Sequence, residues 1–144
     1  MNIYLTEPPI NLFSDIAESK ANEIAKEGAA DDKNKPTQLR GFYDEILNWE
    51  QRSRHLSDTD FAAQLPLIHM IIAKVAYAKE RKHVTEKYQQ LMRECISSVK
   101  TRKELRNCKL FFEAFMGFYK GAYEQQKKEA DDAKKAANTA NYRR

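Results

Sequence analysis

Apolar positions recur at three- and four-residue intervals along most of this chain, a spacing that predicts helices rather than strands. Phe13, Ile16, Ala17, Ala21 and Ile24 mark a first helix over residues 11–27, closed by Gly28 and followed by a polar loop to Lys35. Pro36 suits the first turn of a second helix, whose stripe is Leu39, Phe42, Tyr43, Ile46 and Trp49 and which should run to about Arg54. Ser57, Asp58, Thr59 and Asp60 offer capping side chains ahead of Phe61, and Pro66 cannot donate an intrahelical hydrogen bond. A short helix is therefore expected here, with a longer one restarting at Pro66. From Leu67 to Lys82 the apolar residues are dense enough to cover most of a helix's circumference, so this segment is expected to be the central helix.

A fourth helix follows from about Val84 to Val99, with Tyr88, Leu91, Met92, Cys95, Ile96 and Val99 facing inward. Thr101 and Glu104 form a capping-box pattern that opens a fifth helix, with Leu105, Cys108, Phe111, Phe112, Phe115, Tyr119 and Ala122 on one side. Beyond Glu124 the chain has good helix formers and almost nothing to bury, so the tail either extends the last helix into water or is disordered. The expectation is an all-α fold: a compact single-domain bundle of about five helices, with or without an extended C-terminal helix.

Composition narrows this picture. A chain of 144 residues with 42% hydrophobic positions can bury one core, and only 4 Gly and 4 Pro disfavour many-stranded β architectures. The formal charge is +4, unevenly spread: residues 1–36 carry 4 basic and 7 acidic side chains, residues 37–128 carry 17 and 11. A mild excess of this kind suits a nucleic-acid partner without requiring one. Leu65–Ala78, the most apolar stretch, is short for a bilayer and contains His69 and Lys74, so no membrane helix is expected. The N-terminal segment lacks the basic start and apolar run of a secretory signal, which predicts a cytoplasmic protein. Cys95 and Cys108 have no C-x-x-C spacing and read as small buried hydrophobes.

Catalytic chemistry finds little support. His55, His69 and His83 lie 14 residues apart, outside any zinc-ligand spacing, and four scattered glycines build neither a phosphate-cradling loop nor a nucleophile elbow. The cations say more. At about 100° per residue, Lys74, Tyr77 and Arg81 fall on one stripe, with Lys79 and Lys82 crowding the helix end. Cations beside an aromatic ring are a common way to hold single-stranded nucleic acid. The competing reading places Tyr77 in the core and lets the cations snorkel into water. Arg102, Arg106, Lys109 and Lys120 share the side of the fifth helix opposite its aromatic stripe, the ordinary solvated face of an amphipathic helix. Arg40, Arg52 and Arg54 are equally ambiguous, although Arg52-Ser53-Arg54 is a local positive knot suited to a phosphate.

Three stretches resemble the small subunit of type III-A CRISPR effector complexes. Gln38-Leu39-Arg40-Gly41-Phe42-Tyr43-Asp44-Glu45 is similar to that family's Q-(L/I)-R-x-F-Y-x-E opening. Leu65-Pro66 followed by Lys74-Val75-Ala76-Tyr77-Ala78 and Arg81 resembles its K-x-A-Y-A-x-x-R helix. Asn107, then Phe111-Phe112-Glu113-Ala114, with Lys120 beyond, is similar to its closing N-x-x-x-F-F-E-A segment. The likeness spans about residues 37–123 in family order. Residues 1–36, a helix and polar loop, and the extension 129–144 flank a helical core at 37–128.

The resemblance implies a non-enzymatic subunit without cofactor or metal that stacks in several copies beside the backbone and large subunits, helping to form the groove where guide RNA pairs with target RNA. Cleavage would belong to those other subunits. Such a subunit need only follow backbone and shape, because base pairing reads the sequence. The positions that match the family motifs, Arg40, Lys74, Arg81 and Lys120, are then candidate RNA-backbone contacts; charge placement adds Arg52, Lys79 and Lys82. Exposed apolar positions on the second and last helices would serve subunit contacts. The alternative is a helical protein–protein adaptor that touches no nucleic acid.

Overall fold

The computed structural model describes residues 5–142; Met1–Tyr4, at the head of the N-terminal segment, and Arg143–Arg144 lie outside the described residues. A π-type turn at Leu12–Ile16 leads into α1 (Ala17–Gly28), followed by α2 (Pro36–Ser53), α3 (Asp58–Glu80), α4 (Glu86–Ser97) and α5 (Arg102–Tyr142). Among the described residues there is no strand. α5 is the axis of the molecule: it packs against α1 on one side and α2 on the other, α2 continues onto α3, α3 onto α4, and α4 returns to α1. The helices thus close a ring around one core. The 41-residue α5 carries the polar tail onward as continuous, exposed helix.

Periodicity explains the packing. Ala17, Ala21, Ile24 and Ala25 are buried in α1, and the small alanines let it lie close along α5. On α5 the buried stripe is Leu105, Cys108, Phe111, Phe112, Phe115, Tyr119 and Tyr123. Its rings form a ladder, edge-on at Phe111–Phe112 (5.2 Å) and stacked at Phe115–Tyr119 (5.1 Å). Phe42 meets Tyr88 at 6.0 Å across the core. Cys95 and Cys108 are free and buried, and burial pushes both thiols up, Cys108 to about 12.

Three expectations need correction. The central helix is α5, which packs along both α1 and α2, whereas α3 packs mainly on α4 and turns an apolar side to water: Leu67, Met70 and Tyr77 are 51%, 52% and 64% exposed. Apolar density alone cannot tell a helix buried all round from one with an apolar outer face. The helix does not restart at Pro66. It is continuous from Asp58, with Ser57 accepting from the Asp60 N–H as its cap. Pro66 leaves the Ala62 carbonyl without its helical donor, and both residues are exposed, so water can serve instead. In the first helix Phe13 is exposed and Leu12 is buried, because the Ile16 N–H reaches the Asn11 carbonyl five residues back and the wider turn rotates the register.

By length and composition α3 could cross a membrane, with a mean hydropathy of 1.4 over its best window, since it begins seven residues ahead of the apolar stretch at Leu65. It is nonetheless fastened into the bundle. Lys74 pairs with Glu45 of α2, and His69 Nε2 lies 2.8 Å from the Val99 carbonyl, to which it can only donate.

Two polar devices hold the ends together. The Thr101–Glu104 capping box forms as expected: Thr101 Oγ1 accepts from the Glu104 N–H, and Glu104 Oε1 accepts from the N–H groups of Lys100 and Thr101. Thr6 Oγ1 also donates to Glu104 Oε2 at 2.6 Å, and Asn107 Nδ2 to the Leu5 carbonyl at 2.6 Å, so the N-terminal strand of chain is tied to the start of α5. Burial pushes the Glu104 carboxyl up, but the hydrogen bonds from Thr6, Lys100 and Thr101 outweigh it and hold the group below its ordinary range. A carboxyl depressed on folding stabilises above its unfolded pKa and loses that contribution as pH falls through its folded one. Glu104→Gln should therefore cost about 1–2 kcal/mol at neutral pH. In urea melts across pH, the gap from the parent should close below the ordinary value of 4.5.

The second device is Asn34, fully buried in what reads as a polar loop and held at a positive φ of 57°. Its Nδ2 donates to the Ile24 carbonyl (3.1 Å) and to Thr85 Oγ1 (2.8 Å), and its Oδ1 accepts from the Thr85 N–H (2.9 Å). Its backbone N–H donates to the His83 carbonyl, and its own carbonyl accepts from the Tyr119 hydroxyl at 2.6 Å. One residue thus joins the α1–α2 loop to the α3–α4 loop and to α5. Gly28 makes room for it: a Cβ there would meet the Lys33 carbonyl oxygen at 2.6 Å and Asn34 Nδ2 at 2.7 Å.

Candidate nucleic-acid interface

The outer face of α3 has two halves. Toward its start it exposes Ala63, Leu67 and Met70; toward its end, Lys74, Tyr77 and Arg81. Tyr77 stands in water rather than in the core, with the Arg81 guanidinium 5.6 Å from its ring centroid. Lys74 donates to Glu45 Oε1 at 2.5 Å, an ion pair in which the lysine side chain is 52% exposed. Lys82 follows at the helix end in a left-handed conformation, φ 65°, its N–H bonded to the Lys79 carbonyl. Lys79 is half-buried and projects about 200° round the helix from Tyr77. Lys74 and Arg81 thus share a ridge with an aromatic ring, Lys82 follows just past the helix end, and Lys79 lies off the ridge's line.

The remaining predicted cations divide between two flanks of α2. Arg52 lies seven residues after Glu45, on the flank that faces α3, and its guanidinium sits 5.2 Å from the Trp49 ring. Arg40 lies about 140° round the helix from Glu45, paired with Asp44 at 3.5 Å. That flank faces α5. Burial and the Glu113 carboxylate of α5 push the Tyr43 hydroxyl up, with Arg40 opposing them. Lys120 lies two turns beyond Glu113 on the same exposed stripe. The structure therefore separates the seven candidates: Lys74, Arg81 and Arg52 lie on the α3 side with Lys82 at that helix's end, Arg40 and Lys120 lie along the seam between α2 and α5, and Lys79 falls outside both groups.

The Arg40–Asp44 pair is exposed on both sides, and in the Lys74–Glu45 pair the lysine is exposed while Glu45 is part-buried, so the lysine and arginine heads both reach water. Such pairs contribute about 0–1 kcal/mol, so a phosphate can replace the carboxylate at small cost. The apolar positions expected for subunit contacts prove to be largely core: on α2, Leu39, Phe42 and Ile46 are buried, as is the aromatic stripe of α5. Within the bundle, α3 also exposes apolar side chains, Leu67 and Met70, where a buried-looking sequence gave no sign of it; on the last helix Tyr142 is exposed at the far end of the polar extension. Among the described residues no group of three or more His, Cys, Asp and Glu side chains is placed to hold a metal ion.

One further set of residues, far apart in the sequence, comes together between α2 and α5. α2 runs antiparallel to α5, with Asn34 near Tyr119 at one end and Leu56 bonded to Arg102 at the other. This juxtaposes the last turn of α2 and the first turns of α5. Arg54, Arg102, Lys103 and Arg106 meet there around a cavity of about 310 Å³.

The described residues thus form an all-helical bundle with an aromatic–cationic ridge on α3 and further cations along the seam between α2 and α5. The chain belongs to the Csm2 Type III-A family, whose profile matches residues 11–126, and is thus a small subunit of a type III-A CRISPR complex. The match begins ahead of the first recognised motif and takes in α1, in keeping with that helix's place against α5. No curated protein and no solved structure matches the chain.

Proposed function

We propose that this subunit binds RNA through its sugar-phosphate backbone, without reading sequence, and stacks in several copies along the groove that holds the guide–target duplex. The observation that carries this reading is the exposed Tyr77 with Arg81 against its ring and Lys74 on the same face. An exposed ring flanked by cations stacks on any base and neutralises any phosphate, which suits a subunit that leaves sequence to base pairing. Arg52, Lys82, Arg40 and Lys120 extend the positive surface, and Lys79 lends charge from the side. The chemistry of cleavage is left to other subunits. The apolar half of the same face, Leu67 and Met70, supplies the contact with a neighbouring subunit or copy.

Those same two residues favour the second reading, an adaptor whose α3 face meets only protein. Crosslinking separates the two. In the assembled complex, a target RNA carrying photoreactive bases should crosslink to this subunit at Tyr77 and its neighbours. Crosslinks confined to the other subunits would leave the adaptor reading.

A further inference from the structure

The cavity between α2 and α5 has an unusual charge inventory. Arg54, Arg102, Lys103 and Arg106 line it with a single carboxylate, Glu50. That carboxylate is already engaged, accepting from Arg54 Nε and Nη2 at 2.9–3.1 Å, which fixes the guanidinium and leaves its Nη1 unused. Arg102 is held by the Leu56 carbonyl and Asp58. Lys103 and Arg106 have no hydrogen-bond or ion-pair partner among the described residues. The negative end of α2 and the positive end of α5 meet here, so the backbone dipoles roughly offset and the side chains decide the sign.

A second observation points the same way. Ser53 lines the cavity, is 2% exposed, and its Oγ is one of two buried side-chain polar atoms without a hydrogen-bond partner among the described residues. Buried hydroxyls are normally satisfied, and one that is not, beside surplus cations, suits a bound acceptor.

We propose that this cavity is an oxyanion site that takes one phosphate group of an RNA strand, with Arg106, Lys103 and Arg54 Nη1 as charged donors and the Ser53 hydroxyl completing the set. The identity of the strand rests on the RNA-binding reading above; the oxyanion chemistry does not. Arg–phosphate contacts of this kind are charge-assisted and position the backbone without selecting a base.

The test is titration of the isotopically labelled chain with inorganic phosphate and, separately, with an unstructured oligouridine, followed by amide NMR. Both should shift the amides of Ser53, Arg54 and Arg102–Arg106. The double variant K103A/R106A removes two side chains that hold nothing else in place, so it should fold normally. It should bind oligouridine about tenfold more weakly, with a salt slope reduced by about one. Ser53→Ala should keep or raise stability, since it deletes an unpaired hydroxyl, yet weaken binding about threefold. Oligouridine binding with shifts confined to α3, or undiminished in the double variant, would overturn the site and leave the RNA reading standing. Phosphate shifts without oligouridine binding would keep the oxyanion site and overturn RNA as its ligand. An absence of shifts with phosphate and with RNA would overturn both.

Discussion

Asn34→Ala should destabilise the fold by about 3–4 kcal/mol, a large share of the roughly 5–15 kcal/mol that holds a domain together. The substitution removes the acceptor for the buried Thr85 N–H and the donor to Thr85 Oγ1 and the Ile24 carbonyl. Each buried polar group left without a partner costs about 1–3 kcal/mol. Alanine must also adopt the left-handed backbone that asparagine tolerates here, at roughly 1–2 kcal/mol. Asn34→Gly separates the two contributions, because glycine enters that conformation freely and so should recover the strain but not the hydrogen bonds. The backbone bonds to His83 and Tyr119 survive in both variants, which keeps the loss finite. Urea denaturation followed by helical circular dichroism would show this; a loss below about 1 kcal/mol for alanine would mean that the loops are held by something other than Asn34.

The contrast between Asn34 and the stripes around it shows what was legible in the sequence. The buried faces of α4 and α5 repeat at helical spacing over many residues, so Tyr88, Leu91, Cys95, Phe111, Phe115 and Tyr119 could be placed inside from pattern alone. The caps at Ser57 and Thr101 were readable for a similar reason, since each depends on residues three apart. Asn34 belongs to no period, and its partners lie 10, 51 and 85 residues away. The two-sided character of α3 was hidden because Leu67 and Met70 satisfy the same pattern as Ile68 and Ile71, and only the ring of helices decides which side is covered. Of the candidate site, the local triad Lys74, Tyr77 and Arg81 was readable at i, i+3 and i+7. The cavity formed by Arg54 and Arg106 was not, because it requires α2 to lie antiparallel to α5.

The second large effect should come from the ridge. Removing the charges of Lys74 and Arg81 together should weaken binding to single-stranded RNA by one to two orders of magnitude at low salt, on the order expected for the loss of two phosphate contacts. The loss should be nearly equal for unrelated RNA sequences, since backbone contacts position a strand without specifying it. The Lys74–Glu45 pair adds an expectation of opposite sign. Glu45 competes with phosphate for the lysine, so Glu45→Gln should tighten RNA binding a few-fold, a gain that loss of folding could not imitate. If the lysine only holds α3 to α2, Glu45→Gln leaves affinity unchanged or lowers it.

The salt dependence of RNA binding by the purified subunit tests most directly whether it grips RNA through the sugar-phosphate backbone. With about four phosphates neutralised, the logarithm of affinity should fall against the logarithm of salt concentration with a slope near −3, and the slope should drop by about half when Lys74 and Arg81 both become alanine. Binding that is flat in salt, or no binding at the lowest ionic strength, would contradict a backbone grip.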